Sequence, residues 1–455
     1  MILTKDKSFY KSLIALSLPI ALQNLVTFSV GLFDNLMIGS LGDSAISGVY
    51  MGSQIQTLLQ ILCAGIEGAI LVLAAQYWGR GDKKSISKIV AIGTRISVGF
   101  GLIVSLISAI FPKAVISLFT KDKEIILVGA EYLSILAYSF VFFCLTQSLI
   151  AAMRSVEAPK IGLYVSAVSL VVNVILNYVL IFGKLGAPAL GVRGAAIATL
   201  IARMIEALLA VIYVFFIDKK LRLSIKEFLK WDGALLRDFF KYGTPIILGQ
   251  LVWATNMLSN SAIMGRLPVE GVVAGLSIAN TMHNLTYIVM NGMSGAVGII
   301  TGKTIGEGKE KLMREYAVTV QIIFIILGLL TGGAIFLFKK PFISLYNVSA
   351  QAAAEANSFI NVISVTVIGT CYQAACLFGL VKSGGDTSFV FKNDCIFVFL
   401  VVIPSALIAA RLGLAPFVVF ACLKSDQILK CAVAAVKINR FRWMKNLTRD
   451  SLKEA

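Results

Sequence analysis

Charge is scarce in this 455-residue chain: 14% of the residues are Asp, Glu, Lys or Arg and 58% are hydrophobic. Soluble domains carry about 25% charge and about 45–50% apolar residues. So little charge cannot cover a water-facing surface of this size, which excludes a soluble globular protein and leaves lipid as the solvent. Histidine is reduced to His283 alone, and the seven cysteines contain no CxxC pair. A zinc centre or a dithiol motif therefore lacks its residues. Cys63, Cys144, Cys371, Cys376, Cys395, Cys422 and Cys431 all fall in apolar runs and read as small core residues. Acids are outnumbered, 24 against 41 Lys and Arg, for a net charge of +17. Those bases are scattered between apolar runs, which argues against nucleic acid as a partner and fits the loops of a membrane protein. The first apolar run, 13–41, is longer than an h-region of about 7–15 residues and reads as a span rather than a signal peptide.

A helix needs about 20 mainly apolar residues to cross about 30 Å of hydrocarbon. Twelve runs qualify: 13–39, 46–78, 89–112, 125–152, 161–183, 190–217, 243–266, 271–301, 316–338, 352–381, 389–411 and 413–436. Several are long enough that they must tilt or bend. With the N-terminus inside, the inner segments hold 28 of the 41 Lys and Arg and the outer loops hold 9. That bias predicts a multi-pass protein of the plasma membrane with both termini cytoplasmic. The linker 218–242 and the basic tail 438–455, with Trp443, are expected to lie against anionic headgroups of the membrane lipids.

The chain repeats itself. LSLPIALQ at 16–23 returns as YGTPIILG at 242–249, so Pro19 matches Pro245 at an offset of 226. At the same offset Met37-Ile38-Gly39 falls on Ile263-Met264-Gly265, and Gln147 on Gln373. Gly79-Arg80-Gly81 returns as Gly306-Glu307-Gly308 at 227. Six spans separate the copies, so both halves share one orientation. Parallel repeats of this kind predict an all-α integral membrane protein of twelve transmembrane helices in two six-helix lobes related by pseudo-two-fold symmetry. The expected division is an N-lobe at 1–217, a cytoplasmic linker at 218–242, a C-lobe at 243–437 and the tail.

The segments LPIALQNLVTFSVGLFDNLMIGSLG (18–42), GAILVLAAQYWGRGD (68–82), NVILNYVLIFG (173–183), LGVRGAAIATLIAR (190–203), GTPIILGQLVWATNMLSN (243–260) and FGLVKSGGDTSF (378–389) share an order and spacing that covers nearly the whole chain. The pattern resembles the MATE (multidrug and toxic compound extrusion) family, and within it the prokaryotic DinF/NorM-like branch. The resemblance implies a secondary antiporter that exports cationic or amphipathic drugs and toxic compounds in exchange for an ion. A lipid-linked precursor flippase of the same superfamily is the alternative. It implies no required protein partner and no cofactor, only a coupling ion.

Asp34 is the sharpest polar residue, deep in the outer half of the first span. An ionised carboxylate at that depth must be paired, hydrated, cation-bound or protonated. Its repeat partner at offset 226 is Asn260, which cannot titrate, so the switch belongs to the first half. Asn173 and Asn177, four apart, share one face of the fifth span, and Thr199 lies in the sixth. Oxygens of this kind suit a proton-linked hydrogen-bond network or a hard monovalent cation. The resemblance implies that all four form the cation-coupling site, with Na⁺ possible at Asp34, Asn173, Asn177 and Thr199. This chain has Asn177 where some members carry Asp, which removes a charge and favours H⁺. No acid occupies the middle of the seventh or tenth span, so coupling is expected to rest on Asp34.

Glu67 reads as a substrate counter-charge, a gate or a structural acid. Arg203 with Glu206, and Asp426 with Lys430, read as self-neutralising pairs on their helices. The substrate-cavity candidates are Glu67, Trp253, Asn256, Met257, Asn260, His283 and Met290, since thioethers and aromatic faces accommodate varied lipophilic cations. Met282 and Met293 share a face with Met290, and His283 reads as a hydrogen-bonded packing residue. An enzyme is not expected. The GxSG at 292–295 has no histidine within reach, because His283 is about 16 Å away along the helix. The GxGD at 79–82 leads into a charged loop, and Gly302-Lys303-Thr304 lacks the first phosphate-loop glycine.

Overall fold

The computed structural model describes residues 3–223 and 225–449, the side chain of Glu227 excepted. Among the described residues every regular element is helical. The first half contains α1 (Lys7–Gly39), α2 (Asp43–Arg80), α3 (Lys83–Ile110), the short α4 (Pro112–Ser117), α5 (Lys123–Leu136), α6 (Ser139–Ser155), α7 (Lys160–Phe182) and α8 (Val192–Ile212). After the short α9 (Ile225–Leu229) come α10 (Gly233–Gly265), α11 (Val272–Gly306), α12 (Glu310–Ile343), α13 (Ala350–Gln373), α14 (Thr387–Ile396), α15 (Ile403–Arg411), α16 (Pro416–Leu423) and α17 (Asp426–Asn439). Wide turns at Ala374–Lys382 and Phe397–Val402 prolong α13 and join α14 to α15.

These elements cover the twelve expected runs. Among the described residues nine helical segments are long and apolar enough to span a membrane, and α5 with α6, bent by 51°, makes a tenth. The bend explains how the run 125–152 fits a bilayer. The eleventh, α10, starts at Gly233, ten residues before the expected 243. Arg237, Asp238 and Lys241 sit in that added stretch and break the apolar signal without breaking the helix. The twelfth is broken at Lys424-Ser425 between α16 and α17. That break is held to α13: Gln373 Nε2 donates to the carbonyls of Asp426 and Gln427 at 2.8 and 2.6 Å. A Cβ on Gly369 would lie 1.9 Å from the Gln427 oxygen, so only glycine permits this approach.

The chain forms two compact units, Leu22–Gly243 and Met1–Ala21 with Thr244–Ala455. The boundaries fall beside Pro19 within α1 and Pro245 within α10. Proline removes an intrahelical hydrogen bond and is a natural point for a helix to deviate. Residues 3–21 thus group with the second half. Within that unit the Thr4 amide donates to Thr319 Oγ1 at 2.8 Å, Tyr316 donates to Asp6, and Phe9 packs on the Tyr316 ring. The sequence repeat is visible in the caps. Gly81 and Gly308 take φ of 79° and 73°, and each is followed by an amide that reaches back five residues, Asp82 to Tyr77 and Lys309 to Thr304. Both are Schellman endings that need a left-handed residue.

Parts of the linker and the tail dock on protein, Trp443 among them. Ser224 of the linker and residues 450–455 of the tail lie outside the described residues. In the linker, Asp232 caps α10 through the amides of Ala234 and Leu235 and pairs with Lys88 of α3 at 3.0 Å. Arg95, also on α3, donates to the Phe228 carbonyl. In the tail, Trp443 is fully buried and its indole donates to the Ile438 carbonyl. The indole packs where a Cβ on Gly384 would stand. Asp386 accepts from Lys437 at 2.6 Å and from Lys445 at 2.8 Å, and the Lys445 amide donates to the Gly384 carbonyl.

Burial pushes the Asp386 carboxyl up, but the two ammonium groups outweigh it and hold the group below the usual carboxylate range. Its stabilisation is therefore complete above about pH 4, the unfolded value, and is lost as pH falls through the lower folded value. Asp386→Asn is expected to destabilise the protein by about 1–3 kcal/mol at neutral pH. It should also flatten the acid limb of a thermal-unfolding series from neutral pH to about pH 3; an unchanged limb would show that the clasp carries no stability.

Candidate functional site

The polar face of α7 carries Ser166, Ser169, Asn173 and Asn177 at spacings of three and four, and all four side chains are buried. Opposite lies α8, brought close because a Cβ on Gly194 would stand 2.5 Å from the Leu180 carbonyl oxygen. Small residues Ala195, Ala198 and Ala202 continue that contact and place Thr199 level with Asn173. In this unit Asn177 Nδ2 donates to Asp34 Oδ1 at 2.5 Å and to Asn173 Oδ1 at 3.2 Å. Asn173 Nδ2 in turn donates to Thr199 Oγ1 at 3.4 Å. The four predicted residues are thus brought together from three helices. Asn177 Oδ1 is buried and takes no hydrogen bond. This spare acceptor beside the carboxylate can take the O–H of a protonated Asp34 or ligate a monovalent cation. No group of three or more His, Cys, Asp or Glu capable of holding a metal occurs among the described residues.

One turn further along α8, Arg203 Nη1 pairs with Glu206 Oε2 at 2.6 Å, as expected from their spacing, with both side chains buried. The Arg203 guanidinium is also within electrostatic reach of Asp34. From Glu206 the hydrogen bonds continue. Ser166 Oγ donates to Glu206 Oε1 at 3.3 Å, Gln23 Nε2 to Ser166 at 3.3 Å, and Arg154 Nη2 to Gln23 Oε1 at 2.7 Å. A second chain of polar groups therefore runs from Arg203 to Arg154. Sequence reasoning missed Gln23, Ser166 and Arg154. The 3,4 spacing of Ser166 with the Asn pair was the available signal. Glu67 is half-buried, and its carboxylate makes no hydrogen bond among the described residues.

The substrate-cavity candidates divide. Met290 and Met282 are core residues, 3% and 7% exposed, because their face of α11 is turned into the unit. Trp253 and Met257 are exposed on α10. Asn256 and Asn260 each keep a buried Oδ1 without a partner. His283 Nδ1 is likewise buried and unpartnered, so the expected hydrogen-bonded packing role fails for that atom; its ring lies 6.0 Å from the Tyr287 ring. Lys430 is not in a simple pair: it bridges Asp426 at 3.1 Å and Asp394 at 2.9 Å. Asp394, on α14, was not anticipated, since 36 residues separate it from Lys430 and only tertiary packing joins them.

The enzyme-like motifs have structural uses. Ser294 Oγ is buried and donates to the Ala374 carbonyl at 2.5 Å. Asp82 caps α3, accepting from the Ser85 amide and hydroxyl at 3.0 and 2.5 Å, and Gly81 closes α2.

Several known proteins are similar to this chain. A probable multidrug resistance protein NorM of Halalkalibacterium halodurans is 24% identical over 93% of this chain and 92% of its own. The multidrug resistance protein MdtK of Yersinia pseudotuberculosis is 22% identical over 96% and 95%. A Vibrio cholerae MATE transporter of known crystal structure superposes with a TM-score of 0.87 at 16% identity, covering 97% of this chain and 98% of that one. The MatE family model matches residues 19–179 and again 245–408, one copy for each half of the repeat. The chain, a multi-pass α-helical membrane protein, belongs to the MatE family.

Proposed function

We propose that this protein is a secondary active multidrug efflux antiporter, exporting cationic or amphipathic small molecules in exchange for H⁺, with Na⁺ as the second candidate, by alternating access. The observation that carries this reading is the Asp34–Asn177–Asn173–Thr199 cluster: one intramembrane carboxylate, a neutral amide donor on one oxygen, and a buried acceptor left open beside it. A desolvated carboxylate is stabilised by a proton or a monovalent cation and destabilised when bare. Binding and release of that ion can therefore favour different packings of α1, α7 and α8. The reading places the protein in the plasma membrane with both termini cytoplasmic, as the Lys and Arg bias predicts.

The test is efflux of a cationic dye from proteoliposomes under an imposed proton gradient and, separately, an imposed sodium gradient. Efflux driven by the proton gradient alone is the expected result. Sodium-driven efflux alone would reassign the ion, and efflux under neither gradient would remove the antiporter. The flippase alternative draws on Lys382 and Lys424, which lie in or beside spans of the second unit and have no carboxylate within 4 Å among the described residues. Such cations suit a phosphate. Transbilayer movement of a lipid-linked phosphate substrate, with no dye efflux, would establish that reading instead.

A further inference from the structure

Where α17 ends, a groove of about 550 Å³ opens between α14 and α17. Its walls are apolar, from Phe389, Ala432, Val433 and Val436, and its end is lined by Lys437, Arg440 and Arg442. No acidic residue lines it. Lys437 is spoken for, since Asp386 holds its ammonium at 2.6 Å and its Nζ stands 4.2 Å over the Phe389 ring. Arg440 and Arg442 are exposed, and their guanidiniums make no ion pair or hydrogen bond among the described residues.

What puts both guanidiniums on one groove is the residue between them. Phe441 has a φ of 54°, a left-handed conformation that a bulky side chain rarely adopts. It is held there by the hydrogen bond its amide donates to the Ile438 carbonyl, by Arg314 stacked 5.2 Å over its ring, and by the burial of Trp443 just beyond. Backbone strain of this kind persists only where the surroundings enforce it, and it concentrates at binding sites.

We propose that this groove binds an anionic phospholipid, with its phosphate between Arg440 and Arg442 and an acyl chain along Phe389, Val433 and Val436. The setting identifies the occupant. The groove lies at the end of the last span, where lipid is the solvent of the apolar wall and headgroups meet the following residues. Two planar guanidiniums with free donors match phosphate oxygens in shape and charge. Cationic pockets at such span ends recognise anionic headgroups. The inference needs only the membrane location and does not rest on the antiport reading.

The test uses the full-length protein in detergent micelles, titrated with cardiolipin, phosphatidylglycerol and phosphatidylcholine and followed by native mass spectrometry. Both anionic lipids should bind more tightly than phosphatidylcholine. Arg440→Gln with Arg442→Gln should weaken them by about thirtyfold, from about 1 kcal/mol for each basic residue. Arg411→Gln, an exposed cation at the end of α15, should change nothing. Val433→Trp fills the apolar wall and should lower anionic-lipid binding while leaving both arginines in place. Equal binding of phosphatidylcholine, or unchanged binding in the double variant, would overturn the proposal. So would full competition by glycerol phosphate, which would mark a free-phosphate site. Lipid-independent dimers that dissolve in the double variant would assign the groove to a second copy of the chain.

Discussion

Asp34→Asn should insert, fold and bind dye, yet export nothing uphill. The substituted amide still offers an oxygen to Asn177 Nδ2, so the cluster on α1, α7 and α8 keeps its hydrogen bond. What disappears is the only charge in that cluster, and with it the capacity to take up and release an ion. Exchange of one H⁺ for one monovalent cationic dye moves no net charge, so the pH difference drives it: about 1.7 units is worth about 2.3 kcal/mol, or about a fiftyfold concentration ratio. The wild type should approach a ratio of that order in proteoliposomes, and the variant should settle near unity while passive dye equilibration continues. Uphill export that survives in Asp34→Asn would remove Asp34 from the coupling step. The Asp394–Lys430–Asp426 cluster of the other unit would then be the next place to look.

Arg203→Leu should produce the largest loss of stability. Arg203 is 8% exposed and Glu206 1% exposed, and they face each other at 2.6 Å. Removing one partner of a buried ion pair leaves an uncompensated charge and costs about 3–5 kcal/mol. Replacing both with leucine removes the desolvation problem along with the attraction and is often close to neutral. The double variant should therefore unfold close to the wild-type temperature, and Arg203→Leu well below it, by intrinsic fluorescence in detergent. Because Ser166 donates to Glu206, the double variant also cuts the chain of groups leading to Gln23 and Arg154. Normal stability with impaired efflux would separate a transport role for that chain from a structural one. If the double variant is as unstable as the single one, the pair is not the source of the loss.

Much of this architecture was legible because lipid simplifies the code. Long apolar runs give spans, Lys and Arg give a predicted sidedness, and the matched Pro19 and Pro245 give the repeat. Asn173 and Asn177 could be placed opposite Thr199 because helical periodicity and the resemblance agreed. What escaped was tertiary. The start of α10 was hidden by Arg237, Asp238 and Lys241, which lower apolarity without affecting helix formation. Asp394 could not be joined to Lys430 by any local rule. Trp443 in a basic segment has the same composition whether it lies on headgroups or docks into protein, and only the close approach of Gly384 and the pairing of Lys445 with Asp386 decide between them. Met290 shows the converse: a methionine suits a binding cavity and a packed core equally well, and here it is core.

The docking of residues 3–21 on α12 has a consequence for biogenesis. Thr4 and Asp6 find their partners at Thr319 and Tyr316, more than 300 positions later. At about 5–20 residues per second of synthesis, the leading segment emerges roughly 15–60 seconds before its partners exist. During that interval Thr4, Asp6 and Phe9 lack the Thr319 and Tyr316 side chains they contact in the finished protein. Insertion of the first span must therefore precede its completion, and the segment waits in lipid or on a chaperone. A ribosome stalled before residue 316 should leave this stretch open to protease or to a thiol reagent at an introduced cysteine. Release of the full chain should close it.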